Sequence, residues 1–223
     1  MPTSRSGRPS TGPERRGRRR RSSPVQAPDL PPPVPVTLDP KTTALLVLDI
    51  SDTTAKQQPT LESVPAVKRL IDKARAAGAK VVFALGRAAE QKIYPELEPK
   101  PDDPVVRSSA DKFFNTDLDR HVQGMTHAIV VGTAANGAVL YTAFAANARG
   151  LTVVVAEDGI SSRDPFATYL ARYQVLGQPG FPNQQNVPLQ PKAVTLSRSD
   201  LISFGSSGGS APSSGGFAPQ PPA

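Results

Sequence analysis

The sequence predicts an α/β protein with three layers, α/β/α, around a mostly parallel sheet of five to six strands. Two observations indicate this fold class. Short apolar runs alternate along the chain with segments of helical periodicity, as expected of successive β-α-β units. The apolar runs also lack regular polar alternation, which is typical of strands buried on both faces of a parallel sheet.

The predicted elements follow one another closely from residue 44 to residue 196. The first strand covers residues 44–50, and a helix follows from its N-cap Ser63, with Pro65 in its first turn, to Gly78. Further strands are predicted at 80–85, 128–132, 151–156 and 193–196. Further helices are predicted near 116, at 136–149 and at 165–176. The charged, proline-rich segment 88–104 is predicted to be a surface loop.

Regions of biased composition flank this domain. Residues 1–40 contain ten of the 25 prolines, and residues 205–223 consist almost entirely of Gly, Ser, Pro and Ala. Neither region can bury enough apolar surface to offset the entropy lost on ordering. We therefore expect a disordered Arg/Pro-rich tail at 1–40, one folded domain at 41–204, and a disordered Gly/Ser/Pro tail at 205–223.

The net charge of +7 lies mostly in the N-terminal tail, where eight arginines face three acidic residues. The arginines at 15–21 could attract a nucleic acid or another polyanion, but no aromatic residue is interleaved to stack on bases. A polyanionic partner is therefore expected only through this tail, and a solvated tail is the alternative interpretation.

Three absences limit the class of protein. No apolar stretch is long enough to cross a bilayer, and prolines interrupt the segment after the arginines where a signal peptide needs an apolar core. The chain contains no cysteine, which excludes disulfides, thiolate metal sites and a cysteine nucleophile. We expect a cytoplasmic protein without a membrane partner.

The predicted topology indicates where a ligand would bind. Ligands of parallel sheets bind at the carboxyl ends of the strands, which draws attention to Asp49 and to the segment 132–138. Neither position carries the glycine pattern of a dinucleotide- or phosphate-binding loop. A nucleotide is therefore not expected, and no other cofactor is predicted.

Three segments of the domain form a recognisable series: ALLVLD at 44–49, VRSSADKFFNTDL at 106–118 and GTAANGAVLYT at 132–142. In order and spacing they resemble the signature blocks of the isochorismatase-like cysteine hydrolases. The similarity continues through VVVAED at 153–158. The resemblance implies the fold of that family, a hydrolase activity, and a catalytic set of one Asp, one Lys and one Cys.

Each catalytic position of the family has a separate counterpart in this sequence. Asp49 matches the family's Asp, which the resemblance implies to be an acid or base. Counting back from Thr116 places the lysine position at Arg107, with Lys112 as an alternative cation that we expect to face solvent. The cysteine position falls on Ala138, whose methyl group cannot attack a substrate, so the cysteine-dependent reactions are excluded.

The resemblance also implies a substrate pocket. Its predicted lining is Phe113, Ala134, Ala135, Asn136, Gly137 and Tyr141. Phe113 matches the family's pocket aromatic residue, and Tyr141 could either face the pocket or pack on the sheet. The amides of Gly137 and Ala138 would bind a carboxylate or oxyanion at a helix start. A cis peptide is expected between Ala134 and Ala135, and no metal site is expected, because His121 and His127 lack a third ligand.

Three functions stay open on the sequence alone. The first is a cysteine-independent hydrolase of a small carboxylated, enol-ether-like metabolite, with Asp49 donating a proton to carbon. The second is a catalytically inactive pseudoenzyme that binds a small acidic metabolite, with Arg107 neutralising Asp49. The third is an oligomeric interaction module, and a homo-oligomer is expected in any case. The first two require Asp49, Arg107 and Ala138 to converge on one cleft.

Overall fold

The computed structural model describes residues 26–205, which fold around a six-stranded parallel sheet. The strands of the described region are β1 (Val36–Leu38), β2 (Thr43–Leu48), β3 (Lys80–Leu85), β4 (Val105–Arg107), β5 (His127–Thr133), β6 (Thr152–Ser161), β7 (Val194–Ser197) and β8 (Ile202–Phe204). The α-helices are α1 (Gln58–Ala77), α2 (Leu118–His121), α3 (Leu140–Ala148) and α4 (Pro165–Leu176).

The sheet has the order β4-β3-β2-β5-β6-β7, and every pair of neighbours is parallel. Alternate residues of the central strand face opposite layers. Leu45 and Val47 pack in one core with α1, β1 and β8, whereas Leu46 and Leu48 pack in the other with α3 and α4. Both faces of the sheet are thus covered, and the predicted three-layer α/β/α fold is confirmed.

The folded region begins before residue 41, where the sequence placed the domain boundary. Val36 and Leu38 are buried in β1, which pairs in parallel with β8 as a separate two-stranded sheet. Upstream of it, the amide of Val34 donates to the carbonyl of Leu196. The surrounding prolines favoured the prediction of a disordered tail, although the alternation of apolar and polar residues at 36–38 is sufficient for a strand of three residues. The remainder of the two predicted tails, 1–25 and 206–223, lies outside the described residues.

Helix α1 begins at Gln58, five residues before Ser63, the residue that was predicted to be its N-cap. Gln57 has an extended backbone at the N-cap, and Pro59 occupies the first turn, where its missing N–H leaves no hydrogen bond unmade. Pro65 therefore lies inside the helix. Pro65 was predicted to mark the first turn of the helix, and Pro59 holds that place instead.

Strand β6 also runs further than predicted, to Ser161 instead of Ala156. Its pairing with β5 shifts register between Val130 and Gly132, so the strand continues past an irregularity that the apolar pattern did not show. Within residues 26–205, no helix is long and apolar enough to cross a membrane.

Gly132 is a position where the fold requires glycine. Its φ is +129°, and a Cβ atom there would lie 2.0 Å from the carbonyl oxygen of Leu48 on the neighbouring strand β2. The two strands approach each other at Leu48 of β2 and Gly132 of β5, and the next residues are Asp49 and Thr133. Gly132 therefore determines how two elements of the sheet's carboxyl edge meet.

We predict that Gly132→Ala lowers the free energy of unfolding by at least about 3 kcal/mol, because backbone must move to admit the methyl group. Gly150→Ala is the matched control: φ is +88° at Gly150, but no atom lies within 4 Å of an added Cβ. The control should lose only about 1 to 2 kcal/mol from the left-handed backbone alone. Urea unfolding of both variants measures the difference, and equal losses would contradict the close-approach explanation.

Candidate active site

An open cleft of about 740 Å³ lies at the carboxyl edge of the sheet. It is formed by the segments that follow β2, β3, β5 and β6, together with residues 108–112. Its lining is Asp49, Thr54, Gln57, Gly86, Arg87, Gln91, Ser108, Ser109, Ala110, Lys112, Thr133, Ala134, Asn136, Ala138, Ser162, Arg163, Asp164 and Ala167. This is the edge at which parallel sheets bind ligands.

Asp49 leaves β2 with its backbone in the left-handed region, at φ +53°. Two hydrogen bonds hold it there: its amide donates to the carbonyl of Ala84 at 2.7 Å, and the Thr54 hydroxyl donates to its carbonyl at 2.5 Å. A non-glycine residue in this conformation is strained by roughly 1 to 2 kcal/mol, and such strain clusters at functional sites. The chain is thus bent so that the Asp49 side chain enters the cleft.

Lys112 is the partner of Asp49. Its ammonium lies 2.8 Å from each carboxylate oxygen, and it also donates to the carbonyls of Leu85 and Ser108 at 3.3 Å. The lysine side chain is 1% exposed and the aspartate side chain 21% exposed. A buried ammonium needs an opposite charge and hydrogen-bond acceptors, and this arrangement supplies both.

The burial of Asp49 changes its acidity. Burial raises the pKa of this carboxyl above its ordinary range, because desolvation disfavours the charged form. The Lys112 ammonium opposes this rise by charge attraction and by its hydrogen bond, and burial is the stronger effect. Asp49 therefore keeps its proton to a higher pH than a solvent-exposed aspartate.

The prediction that Arg107 lies beside Asp49 is wrong. The alternative cation of the sequence analysis, Lys112, takes that place, and it is buried rather than facing solvent. Arg107 ends β4, and its guanidinium donates to the carbonyls of Gly86, Ala88 and Gln91 outside the ion pair. The segment between β4 and α2 contains no regular element, so counting residues back from Thr116 could not give the direction of a side chain. The flanking Phe113, buried like Lys112, was the available signal that the segment turns inward.

Ala138 lies in the cleft on a wide helical turn, Ala135–Val139, in which the amide of Val139 reaches back five residues to the carbonyl of Ala134. Three hydroxyl groups of the cleft are hydrogen-bonded elsewhere. The hydroxyl groups of Ser108, Thr133 and Ser162 donate to Phe114, Ser161 and Asn136, respectively, and none of the three pairs with Asp49 or Lys112.

The other predicted pocket residues divide into two groups. Ala134 and Asn136 line the cleft, and the Asn136 side chain accepts a hydrogen bond from Ser162. Ala135 is fully buried, and Gly137 donates its amide to the carbonyl of Ala134, so neither contributes the expected surface. The cis peptide precedes Ala134 rather than following it, at Thr133–Ala134.

The two predicted pocket aromatics lie elsewhere. Phe113 is 3% exposed in the core, with the Arg149 guanidinium 4.2 Å above its ring. Tyr141 is 54% exposed on α3 and does not line the cleft. Since the wide turn at Ala135–Val139 alters the register of the following helix, sequence spacing from Ala138 did not locate Tyr141 correctly.

The sequence analysis missed two arginines of the cleft. Arg87 follows β3 and Arg163 follows β6, so both lie at the carboxyl ends of strands, as Asp49 does. Arg163 was not recognised because β6 was predicted to end at Ala156. Neither guanidinium has a carboxylate partner among residues 26–205. With Lys112, they give the cleft three cations against the carboxylates of Asp49 and Asp164, a balance that favours an anionic ligand.

Within the described part of the chain, no group of three or more His, Cys, Asp or Glu side chains could hold a metal ion.

Comparisons with known proteins agree with this fold. A family model described as "Isochorismatase domain" matches residues 43–176. A search of curated proteins found no match.

Several solved structures are similar. The MAR1 ribonuclease of Caenorhabditis elegans is 21% identical, with a TM-score of 0.62 over 74% of this chain and 81% of that one. An isochorismatase family protein of Burkholderia thailandensis is 21% identical, with a TM-score of 0.60 over 76% and 96%. A cysteine hydrolase of Pseudomonas syringae pv. phaseolicola is 19% identical, with a TM-score of 0.61 over 76% and 94%. At these identities, the likeness shows the fold alone.

The ion pair yields a prediction about acidity. Replacing Lys112 by Met removes the charge that lowers the pKa of Asp49, so that pKa should rise further. Titration of the Asp49 carboxyl by 13C NMR measures it. Lys41→Met is the control, because Lys41 is exposed, precedes β2 at the end of the strand opposite to Asp49, and does not line the cleft, so it should leave the Asp49 pKa unchanged. A rise in the control, or none in Lys112→Met, contradicts the assignment of the pair.

Proposed function

The chain belongs to the isochorismatase family, and on that premise we propose that it is a cysteine-independent hydrolase of a small carboxylated enol ether, with Asp49 as the acid. One observation carries the proposal. A carboxyl group whose pKa is raised by burial faces an open cleft beside a buried lysine. Ala138, which the sequence resemblance places at the family's nucleophile position, lines the same cleft.

The proposed reaction needs a proton and a water molecule, and no covalent intermediate with the protein. The Asp49 carboxyl gives its proton to the terminal carbon of the enol double bond, whose electron pair forms the new C–H bond. Water then adds to the resulting oxocarbenium carbon and returns a proton to the Asp49 carboxylate. The hemiketal collapses to an alcohol and a 2-oxo acid, so that substrate and water are fully accounted for.

Lys112 has two functions in this proposal. Its ammonium stabilises the Asp49 carboxylate that forms when the proton leaves, since the two groups are already 2.8 Å apart. It is also a compact group on a flexible stem, which can adjust as the carboxyl gains or loses its proton, whereas an arginine fork would fix the carboxylate in its ionised form. A lysine at this position therefore favours acid catalysis more than the expected arginine does.

Arg87 and Arg163 supply the proposed substrate specificity. Both line the cleft, and guanidinium groups bind carboxylates with directed, charge-assisted hydrogen bonds. A carboxylate on the substrate would hold the enol ether close to Asp49, and positioning of this kind contributes much of the rate enhancement in enzymes.

A second candidate function is binding without turnover. The observation that favours it is the closeness of both Asp49 oxygens to Lys112, because such a pair can keep the carboxylate ionised and unable to donate a proton. On this alternative, the cleft would bind a small acidic metabolite and release it unchanged. Product formation distinguishes the two functions.

The acid function is tested with 2-methoxyacrylate, the smallest carboxylated enol ether, which yields pyruvate and methanol. We expect Asp49→Asn to lower kcat by at least about 100-fold, the lower end of what general acid catalysis contributes. Binding of pyruvate should be retained or become tighter, because the amide keeps the shape of the side chain and removes a negative charge from the cleft. The control Asp102→Asn removes an exposed carboxyl outside the cleft. Turnover that survives in Asp49→Asn, or is missing from the wild-type protein, overturns the proposal.

The pH dependence of kcat/KM tests the protonation state. An acid must carry its proton, so the rate should be highest below the raised pKa of Asp49 and fall as the pH rises through it. In Lys112→Met the same fall should occur at a higher pH, because loss of the ammonium raises that pKa further. A rate that instead increases with pH through this range would identify Asp49 as a base.

A further inference from the structure

Arg107 lies outside the ion pair of Asp49 and Lys112, but its guanidinium donates hydrogen bonds to one short segment. It donates to the carbonyl of Ala88 at 2.8 Å, to that of Gln91 at 2.7 Å and to that of Gly86 at 3.4 Å. We define residues 86–91 as the β3 loop, since they directly follow β3. The Arg107 side chain thus donates hydrogen bonds to three carbonyl groups of the same six-residue loop.

The register of the sheet explains why Arg107 can reach this loop. β4 pairs with β3, and Arg107 lies opposite Leu85, the last residue before the loop begins. Three acceptors in different directions suit a guanidinium, which presents five N–H groups in a rigid plane. A lysine ammonium is a compact donor that cannot extend across the same span.

The β3 loop is fixed at its other end as well. Ile93 forms an antiparallel bridge with Ser51, and the amide of Tyr94 donates to the carbonyl of Ile50. Inside the loop, an added Cβ on Gly86 would lie 2.8 Å from the Gln91 side-chain oxygen, so its two ends are in close contact. The loop is therefore a folded turn whose shape depends on internal contacts.

The β3 loop carries residues of the cleft. Gly86, Arg87 and Gln91 all line it, on the side of Asp49 opposite to Arg163. Within residues 26–205, the Arg87 guanidinium donates no side-chain hydrogen bond and forms no ion pair, so its N–H groups are available to a ligand in the cleft. The position of that free cation is set by the loop, and the loop is held by Arg107.

We propose that Arg107 is a positioning residue, which holds the β3 loop so that Arg87 binds the anionic group of the ligand. This inference deepens the proposed function and rests on it for the identity of the substrate. It assigns a role to an arginine that does not touch the ligand. The backbone carbonyls of Ala88 and Gln91 transmit the effect.

Binding of pyruvate, the 2-oxo acid product of 2-methoxyacrylate, provides the probe. Chemical-shift titration of the full-length protein should show about tenfold weaker binding in Arg87→Met, the value of one charge-assisted contact of about 1.4 kcal/mol. Arg107→Met should weaken binding at least about fivefold, although the side chain is outside the cleft. Arg107→Lys keeps the charge and should recover less than half of this loss.

The double variant Arg87→Met/Arg107→Met makes the test specific. If Arg107 acts through Arg87, the double variant binds pyruvate no more weakly than Arg87→Met alone, because the two effects are not additive. Lys92→Met, which removes a charge just beyond the loop, should stay within about twofold of wild type. Wild-type affinity in Arg107→Met, full additivity in the double variant, or no pyruvate binding by the wild-type protein overturns the inference.

Turnover of 2-methoxyacrylate separates this inference from the proposed function. A positioning role predicts a higher KM with little change in kcat for Arg107→Met. Absence of turnover in every variant, with the same pattern of pyruvate binding, would refute the hydrolase proposal and support the positioning role. Normal turnover with an unchanged KM in Arg107→Met would refute the positioning role alone.

Discussion

A buried lysine ammonium is stable only beside an opposite charge, and in this protein the Asp49 carboxylate supplies it. The pair joins the end of β2 to the irregular segment after β4, two regions 63 residues apart in sequence. Around it, the backbone of Asp49 is strained and is held by Ala84 and Thr54. Buried pairs of this kind are weak contributors to net stability, but they specify one arrangement of the elements that carry them.

The same pair relates the fold to the proposed chemistry. Burial raises the pKa of Asp49 and the Lys112 ammonium opposes that rise, so burial and the neighbouring charge act on its acidity in opposite directions. Gly132 lets β5 approach β2 closely at the point where Asp49 leaves the sheet. Ala138 lines the same cleft with a methyl group, at the position where the sequence resemblance implies the family's nucleophile.

The fold was predictable because parallel strands buried on both faces appear as continuous apolar runs. β1, β4 and β8 were not predicted, because each has only three residues, and β1 lies among prolines. In the site, the rule that ligands bind at strand ends located Asp49 and the segment 132–138, and the family resemblance pointed to Ala138 within that segment. Lys112 was only an alternative to Arg107, because it lies in a segment without regular structure, where sequence spacing does not determine the direction of a side chain. Arg163 was hidden by the underestimated length of β6.

The central claim is that Asp49 protonates carbon and that water attacks the enol ether. Hydrolysis of 2-methoxyacrylate in water labelled with deuterium and 18O tests it most directly, with pyruvate trapped by immediate reduction. If Asp49 protonates carbon, the trapped product carries one deuterium in its methyl group and the methanol contains no 18O. The rate of this hydrolysis should fall when Asp49 is replaced by Asn. Methanol carrying 18O, or a product without deuterium, would show another route of cleavage and contradict the account.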